Sequence, residues 1–312
     1  MARVVITEFM DEPAVADIAR HAETLYDPAL VDKPEALAAA LADCVVLIVR
    51  NRTQVRPALL ERAPHLEMVG RLGVGLDNID MDACAARGIA VHPATGANDL
   101  SVAEYVITAA LVLLRGAWGA SAAVAAGSWP RNALIGREAA GKTLGLVGVG
   151  RIARETARIA GALGFRIAGF DPLVPAEDPA WTAILRHETL ESLTGAADVV
   201  SLHVPLTPAT RGMISAAVLA GMKPGAVLIN AARGGVVDEA ALAFALKAGR
   251  LGGAALDVFD KEPLSAADGA RFADCPNLLL TPHIAGVTVE SNERVSRLIA
   301  DLAIRHLARH VL

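Results

Sequence analysis

Three side chains of complementary chemistry stand behind short apolar runs in the second half of the chain. Arg233 follows Leu228-Ile229-Asn230-Ala231-Ala232. Glu262 closes the stretch Asp257-Val258-Phe259-Asp260-Lys261-Glu262-Pro263, which comes after Ala254-Ala255-Leu256, and His283 follows Leu279-Leu280-Thr281-Pro282. Such runs read as buried parallel strands, and ligands of open α/β sheets bind outside the carboxyl ends of strands. The three residues can therefore converge on one cleft. A His accepts a hydroxyl proton near neutral pH, and a carboxylate beside it fixes its tautomer and favours its charged form. A guanidinium grips a carboxylate in a fork and polarises a developing carbonyl. Together they suit removal of a hydride from C2 of a 2-hydroxy acid while the hydroxyl proton leaves. Singly, a His after a strand or a Lys261-Glu262-Pro263 turn is more often structural; the set gains meaning beside a nucleotide motif.

That motif lies upstream. Thr143-Leu144-Gly145-Leu146-Val147 leads into Gly148-Val149-Gly150-Arg151-Ile152-Ala153 and a helical run to Ala162, giving strand, G-x-G-x-x-A, helix. Gly148 permits the tight turn, Gly150 lets the backbone approach a pyrophosphate, and the small Ala153 lets helix and strand pack. Free N–H groups and the dipole at the helix start favour that anion. The next strand, 166–170, ends at Asp171, about 20 residues on, where a carboxylate accepts ribose hydroxyls and repels a 2′-phosphate. Asp171 also fits a plain strand-to-turn residue ahead of Pro172. With both features in register, the spacing predicts dinucleotide binding, NAD in preference to NADP.

Elements must position these groups. Strands are expected at 4–6, 45–49, 68–69 and 89–91, then at 144–147, 167–170, 199–202, 226–229, 254–256 and 278–280. Helical patterns fall at 14–19, 34–41, 58–63 and 81–86. Strands alternating with helices predict an α/β chain with parallel sheets covered on both faces. The 312 residues fit about two domains. Ser101-Val102-Ala103-Glu104 reads as a capping box opening a helix that is apolar nearly all round to Leu114. That helix is either a core element or a subunit interface. A last helix, 288–310, should pack back onto the first domain and make it discontinuous.

Composition narrows the partners. A formal charge of −5, from 29 basic and 34 acidic residues, argues against nucleic acid as the main partner. Three widely spaced cysteines make no disulfide framework and fit a reducing cytoplasm, and the eight histidines show no metal-ligand spacing. The start, Met1-Ala2-Arg3 running into Val4-Val5-Ile6, does not look like a signal peptide. The most apolar stretch, 106–114, is shorter than the roughly 20 residues a membrane span needs.

With these motifs in place the chain resembles the D-isomer-specific 2-hydroxyacid dehydrogenase family, in particular its phosphoglycerate dehydrogenase branch. The likeness covers nearly all the chain. Arg71-Leu72-Gly73-Val74-Gly75-Leu76-Asp77-Asn78-Ile79-Asp80 resembles the substrate loop, residues 148–153 the nucleotide loop, and 230–237, 257–263 and 281–286 the three active-site signatures. The resemblance implies two doubly wound parallel-sheet domains. One is a Rossmann NAD-binding domain at 98–286, and the other a discontinuous flavodoxin-like substrate domain at 1–97 and 287–312. It implies that Arg233 binds the substrate carboxylate and that His283 is the acid/base with Glu262 as partner. It further implies NAD contacts from Gly148, Gly150, Arg151, Ile152, Asp171, Val204, Pro205, Ala231, Ala232, Arg233, Asp257 (at the carboxamide), His283 and Gly286. Ala153 and Ala285 stand where glycine is commoner. A homodimer built on the helix after the first crossover is implied as well, and no C-terminal regulatory domain is expected.

For the substrate, Arg50-Asn51-Arg52 follows a strand end and Arg71 precedes the substrate loop. In an extended segment Arg50 and Arg52 would share one face. Guanidiniums additional to Arg233 suggest a substrate with a second anion, phosphate or sulfonate; some of these arginines could instead lie on the solvated surface. Substrate contacts are thus expected from Arg50, Asn51, Arg52, Arg71, Val74, Gly75 and Arg233. Asn51-Arg52-Thr53-Gln54-Val55 with Gly96-Ala97-Asn98-Asp99 resembles sulfolactate dehydrogenases more than housekeeping phosphoglycerate enzymes. Glyoxylate or hydroxypyruvate reduction stays open, as does an NAD-responsive corepressor or sensor, a different class on the same fold. The intact Arg233, Glu262 and His283 argue for turnover.

Overall fold

The computed structural model describes residues 3–308. The chain forms two compact units: one runs up to Asn98 and resumes at Val287, and the other is Asp99–Gly286. The first holds strands β1 (Arg3–Ile6), β2 (Glu23–Tyr26), β3 (Cys44–Val49), β4 (Met68–Arg71) and β5 (Ala90–Pro93), all parallel, in the order β2-β1-β3-β4-β5. That is the flavodoxin-like order. Alternate residues of β1 and β3 face opposite ways. Val4, Ile6, Val46 and Ile48 pack under the helix Val289–Ala308, while Val5, Leu47 and Val49 pack with Leu41 and Leu60 on the other side. With both faces covered, no polar position is tolerated in mid-strand, hence the unbroken apolar runs.

The second unit holds β6 (Thr143–Val147), β7 (Arg166–Phe170), β8 (Leu185–Arg186), β9 (Val199–Leu202), β10 (Val227–Asn230), β11 (Gly253–Leu256) and β12 (Leu278–Leu280). They form one parallel sheet in the order β12-β11-β10-β9-β6-β7-β8. This is the doubly wound dinucleotide-binding order with a seventh strand added at one edge, and the order reverses between β6 and β9. Among the described residues no single helix is long and apolar enough to cross a membrane, and no group of three His, Cys, Asp or Glu is placed to hold a metal ion.

Several expectations need correction. The helix expected to open on a cap at Ser101 runs Asp99–Arg115, so Ser101 lies inside its first turn and is buried. Asp99 supplies the negative charge at the helix start, and its carboxylate takes a hydrogen bond from Arg151 Nε at 2.9 Å. Val106, Ala110 and Leu113 of this helix join Leu144, Leu146 and Ala153 in one core, so it is a core element of its unit. Strands β2 and β8 carried no readable signal: both lie at sheet edges, are short, and are only partly buried. The last helix, expected over 288–310, is Val289–Ala308; 309 and 310 lie outside the described residues.

Candidate active site

Residues Arg233, Glu262 and His283 follow β10, β11 and β12, three neighbouring strands, and so stand at one edge of one sheet. The His283 Nδ1 lies 2.6 Å from Glu262 Oε2. The other oxygen, Glu262 Oε1, accepts the Phe259 amide at 3.0 Å, so the carboxylate is aimed by its own loop. Burial alone would raise the Glu262 pKa. The hydrogen bonds from His283 and the Phe259 amide, with the nearby charges of His283 and Arg233, hold it below the ordinary value instead. Glu262 is therefore an ionised acceptor, which makes Nδ1 the protonated nitrogen and leaves Nε2 for chemistry. Both side chains are partly open to solvent, at 42% and 32%.

The backbone of His283 is unusual. Its φ of +54° lies in the left-handed region that L side chains seldom adopt. Hydrogen bonds on both sides hold it there. Its amide donates to Asp257 O at 2.8 Å, while the buried Asp257 carboxylate accepts the amides of Ile284 and Ala285, both at 2.8 Å. The Thr281 hydroxyl donates to the same carboxylate at 2.7 Å, and the Tyr105 hydroxyl lies 2.6 Å from Thr281 Oγ1. Since Thr281 spends its proton on Asp257, Tyr105 is the donor in that last contact. Sequence reasoning assigned Asp257 to the cofactor; the structure shows it also clamping the His283 loop, through a Tyr105–Thr281 chain that was not anticipated.

Arg233 sits on a turn built by Asn230. The Asn230 side chain accepts the Ala232 amide at 3.1 Å and donates to Arg233 O at 2.9 Å. The next residue must be glycine, because a Cβ on Gly234 would stand 1.8 Å from Phe259 O. The Arg233 and Glu262 loops are thereby pressed together.

The nucleotide loop occupies the point where the second sheet reverses order. Gly148 has a φ of +89°, and a Cβ there would stand 2.8 Å from His203 O and 3.0 Å from Val204 Cγ1. At Gly150, by contrast, a Cβ would meet nothing within 4 Å. Glycine there leaves open space at the N-terminus of the helix Arg151–Ala162, the room a pyrophosphate needs. Ala153 is fully buried against the sheet. Asp171 has two tasks: its carboxylate accepts the Val149 amide at 2.8 Å and the Leu173 amide at 2.9 Å, tying the glycine loop to the end of β7. Its remaining lone pairs are available to ribose hydroxyls. Beyond β9, His203 beside Val204 and Pro205 is pushed down by burial to about 4, so it is neutral there.

The first unit treats its arginines differently from expectation. Residues 50–53 form no strand, and Arg50 and Arg52 find different partners. Arg52 is bound through both terminal nitrogens to Asp32, so its charge is already matched on the surface. Arg50 Nη2 instead donates to Asn292 Oδ1 at 2.9 Å, and its guanidinium lies 5.8 Å from the Phe9 ring centre. Arg71 folds over its own loop, with Nη1 donating to Leu72 O at 3.1 Å beside Gly73, whose φ of +151° is one that L side chains rarely adopt. Val74 and Gly75 are half-buried in that loop, and Asn51 is exposed. Glu8 and Asn78, which hold the 50–53 backbone, escaped sequence reasoning because their partners lie far away along the chain.

Comparison with known proteins gives the family. Residues 107–285 match the family model for the D-isomer specific 2-hydroxyacid dehydrogenase NAD binding domain. The chain is 54% identical to the (S)-sulfolactate dehydrogenase of Chromohalobacter salexigens, over 98% of this chain and 99% of that protein. It is 36% identical to the D-3-phosphoglycerate dehydrogenase of Methanocaldococcus jannaschii, over 96% of this chain and 56% of that one. Among solved structures, a D-lactate dehydrogenase from Aquifex aeolicus, complexed with NAD and lactic acid, superposes with a TM-score of 0.85 at 27% identity. The match covers 99% of this chain and 96% of that one. The chain belongs to the D-isomer specific 2-hydroxyacid dehydrogenase family. It is an NAD-binding oxidoreductase acting on the CH–OH group of 2-hydroxy acids.

Proposed function

We propose that the substrate is a small 2-hydroxy acid with a second anionic group at C3, 3-sulfolactate first and 3-phosphoglycerate next. The observation that carries this reading is the Arg50 guanidinium, held beyond β3 by Asn292 and Phe9, neither of them charged. Its charged neighbour, the Glu8 carboxylate, is turned to four backbone amides rather than to the guanidinium, so Arg50 keeps hydrogen-bonding capacity for an anion, whereas Arg52, forked on Asp32, does not. The 54% identity to a sulfolactate dehydrogenase supports the same choice.

In this reading Arg233 forks the C1 carboxylate and polarises the C2 oxygen. The C2 hydroxyl proton passes to His283 Nε2 as the C2–H bond breaks, and ionised Glu262 stabilises the imidazolium so formed. Gly148, Gly150, Arg151 and Ile152 would hold the pyrophosphate of NAD and Asp171 its adenosine ribose, with further contacts from Val204, Pro205, residues 231–233, Asp257 and Gly286; the nicotinamide would supply the hydride acceptor. Arg71, Val74 and Gly75 complete the substrate loop. Large exposed apolar side chains just beyond the helix Asp99–Arg115, Trp118 at 66%, Trp129 at 75% and Ile135 at 79%, support a homodimer. Three free cysteines support a reducing, cytoplasmic setting.

The test is paired kinetics. The wild-type enzyme should oxidise 3-sulfolactate or 3-phosphoglycerate with far higher kcat/KM than lactate. Arg50→Ala should lower the anionic substrate by about tenfold or more and leave lactate nearly unchanged. Equal loss on both would make Arg50 structural, and a wild-type preference for lactate or glyoxylate would overturn the second-anion reading.

A further inference from the structure

We propose that Glu8 is a positioning residue that sets Arg50 against the distal anion of the substrate, and with it the preference for a doubly anionic acid. The inference rests on the substrate reading above. Glu8 follows β1, and residues 50–53 follow β3. These two neighbouring strands flank the point where the sheet order of the first unit reverses, the place where open α/β sheets bind ligands.

Glu8 is only 4% exposed, and an unpaired buried carboxylate is costly. Four backbone amides satisfy it. Oε1 accepts from Arg50 N at 2.9 Å and Thr53 N at 3.0 Å, and Oε2 from Asn51 N at 3.2 Å and Arg52 N at 3.0 Å. From the opposite side, Asn78 Nδ2 donates to Arg50 O at 3.2 Å and Thr53 O at 2.7 Å. The Thr7 and Thr53 hydroxyls meet at 2.8 Å beneath. The backbone of the loop is thus clamped through both its donors and its acceptors.

Two consequences follow from that clamp. Four converging amides are the kind of nest that takes up a phosphate or sulfonate oxygen, and here an internal carboxylate already fills it. Recognition of a distal anion therefore falls to the side chain of Arg50. That side chain has one anchored root, at the clamped backbone, and one anchored head, at Asn292 and Phe9; burial lowers its pKa from the ordinary guanidinium value, and the nearby Glu8 charge offsets part of that. A guanidinium fixed at both ends loses little freedom on binding, so loosening the root should cost affinity for the distal anion in particular.

Glu8→Gln tests this, because the Gln NH2 group presents donors to amide donors and leaves two of the four without a partner. The readouts are kcat and KM for 3-sulfolactate and for lactate, with NAD affinity as control. The expected result is a rise of about tenfold or more in KM for 3-sulfolactate, with its kcat, the lactate parameters and NAD affinity within about twofold of wild type. If Glu8→Gln does not fold, Glu8→Asp, which keeps both oxygens but shortens their reach, is read in the same way. A variant that retains the full wild-type preference overturns the inference alone, as does one that loses both substrates equally. A wild-type enzyme without the preference overturns the substrate reading and this inference together.

Discussion

Buried carboxylates hold two loops in this protein, Glu8 in the first unit and Asp257 in the second, and they hold them for different ends. Glu8 reaches from beyond β1 to four amides of residues 50–53, none of which has a positive φ. Asp257 takes two amides and one hydroxyl around His283, whose φ is +54°. The first clamp fixes where a relaxed loop lies; the second maintains a conformation that L residues avoid. Strain of that kind costs of order 1–3 kcal/mol and persists only where the surroundings impose it. A binding residue needs placement, whereas an acid/base must also present one chosen nitrogen at a fixed angle. The two clamps should therefore fail differently: disturbing Glu8 should discriminate between substrates, and disturbing Asp257 should not.

The largest effect expected on the catalytic side is from His283→Ala. It should lower kcat by about 100-fold or more while NAD still binds, since the ring is not among the groups that hold the phosphates. Turnover near wild type would remove His283 from the chemistry and leave the second clamp without a purpose. Asp257→Asn comes next, because its NH2 group would face amide donors and release the strained loop. Its kcat should fall about tenfold or more on 3-sulfolactate and lactate alike. Selective loss of one substrate would break the comparison.

Acid should expose the first clamp in the folded protein itself. Burial raises the Glu8 pKa, but the amides of Thr53, Arg52 and Arg50 outweigh it and the net shift is below the ordinary 4.5. A carboxylate depressed on folding contributes stability that is complete above its unfolded value and is lost as pH falls through the folded one. Urea midpoints should therefore drop on acidification below 4.5, and less steeply in Glu8→Gln than in wild type. Identical slopes would show that the clamp contributes nothing to stability. The smallest effect belongs to Thr281→Val, which removes one donor from Asp257 and one acceptor from Tyr105. A loss of about three- to tenfold in kcat, equal across substrates, is expected. No loss at all would leave the two amides and the Asp257 backbone carbonyl sufficient to hold His283.

What the residues alone determined was local. The glycine loop is legible because strand, turn and helix are contiguous, and its physical demands fall on Gly148, Gly150 and Ala153 in one short window. Arg233, Glu262 and His283 are legible because each directly follows an apolar run whose end must lie at the sheet edge. Tertiary structure decided the rest, since it decides which distant segments meet. No local pattern marks Glu8 as the partner of residues some forty positions on, or joins Tyr105 to Thr281 across most of the second unit. Arg50 and Arg52 look equivalent in the sequence. They part only because β1 and β3 become neighbours, which fills the amide nest with Glu8, leaves Asp32 to match Arg52, and leaves Arg50 to Asn292 and Phe9. Hydrogen bonds and ion pairs act over a few ångströms, so their partners are chosen by strand order rather than by chain position.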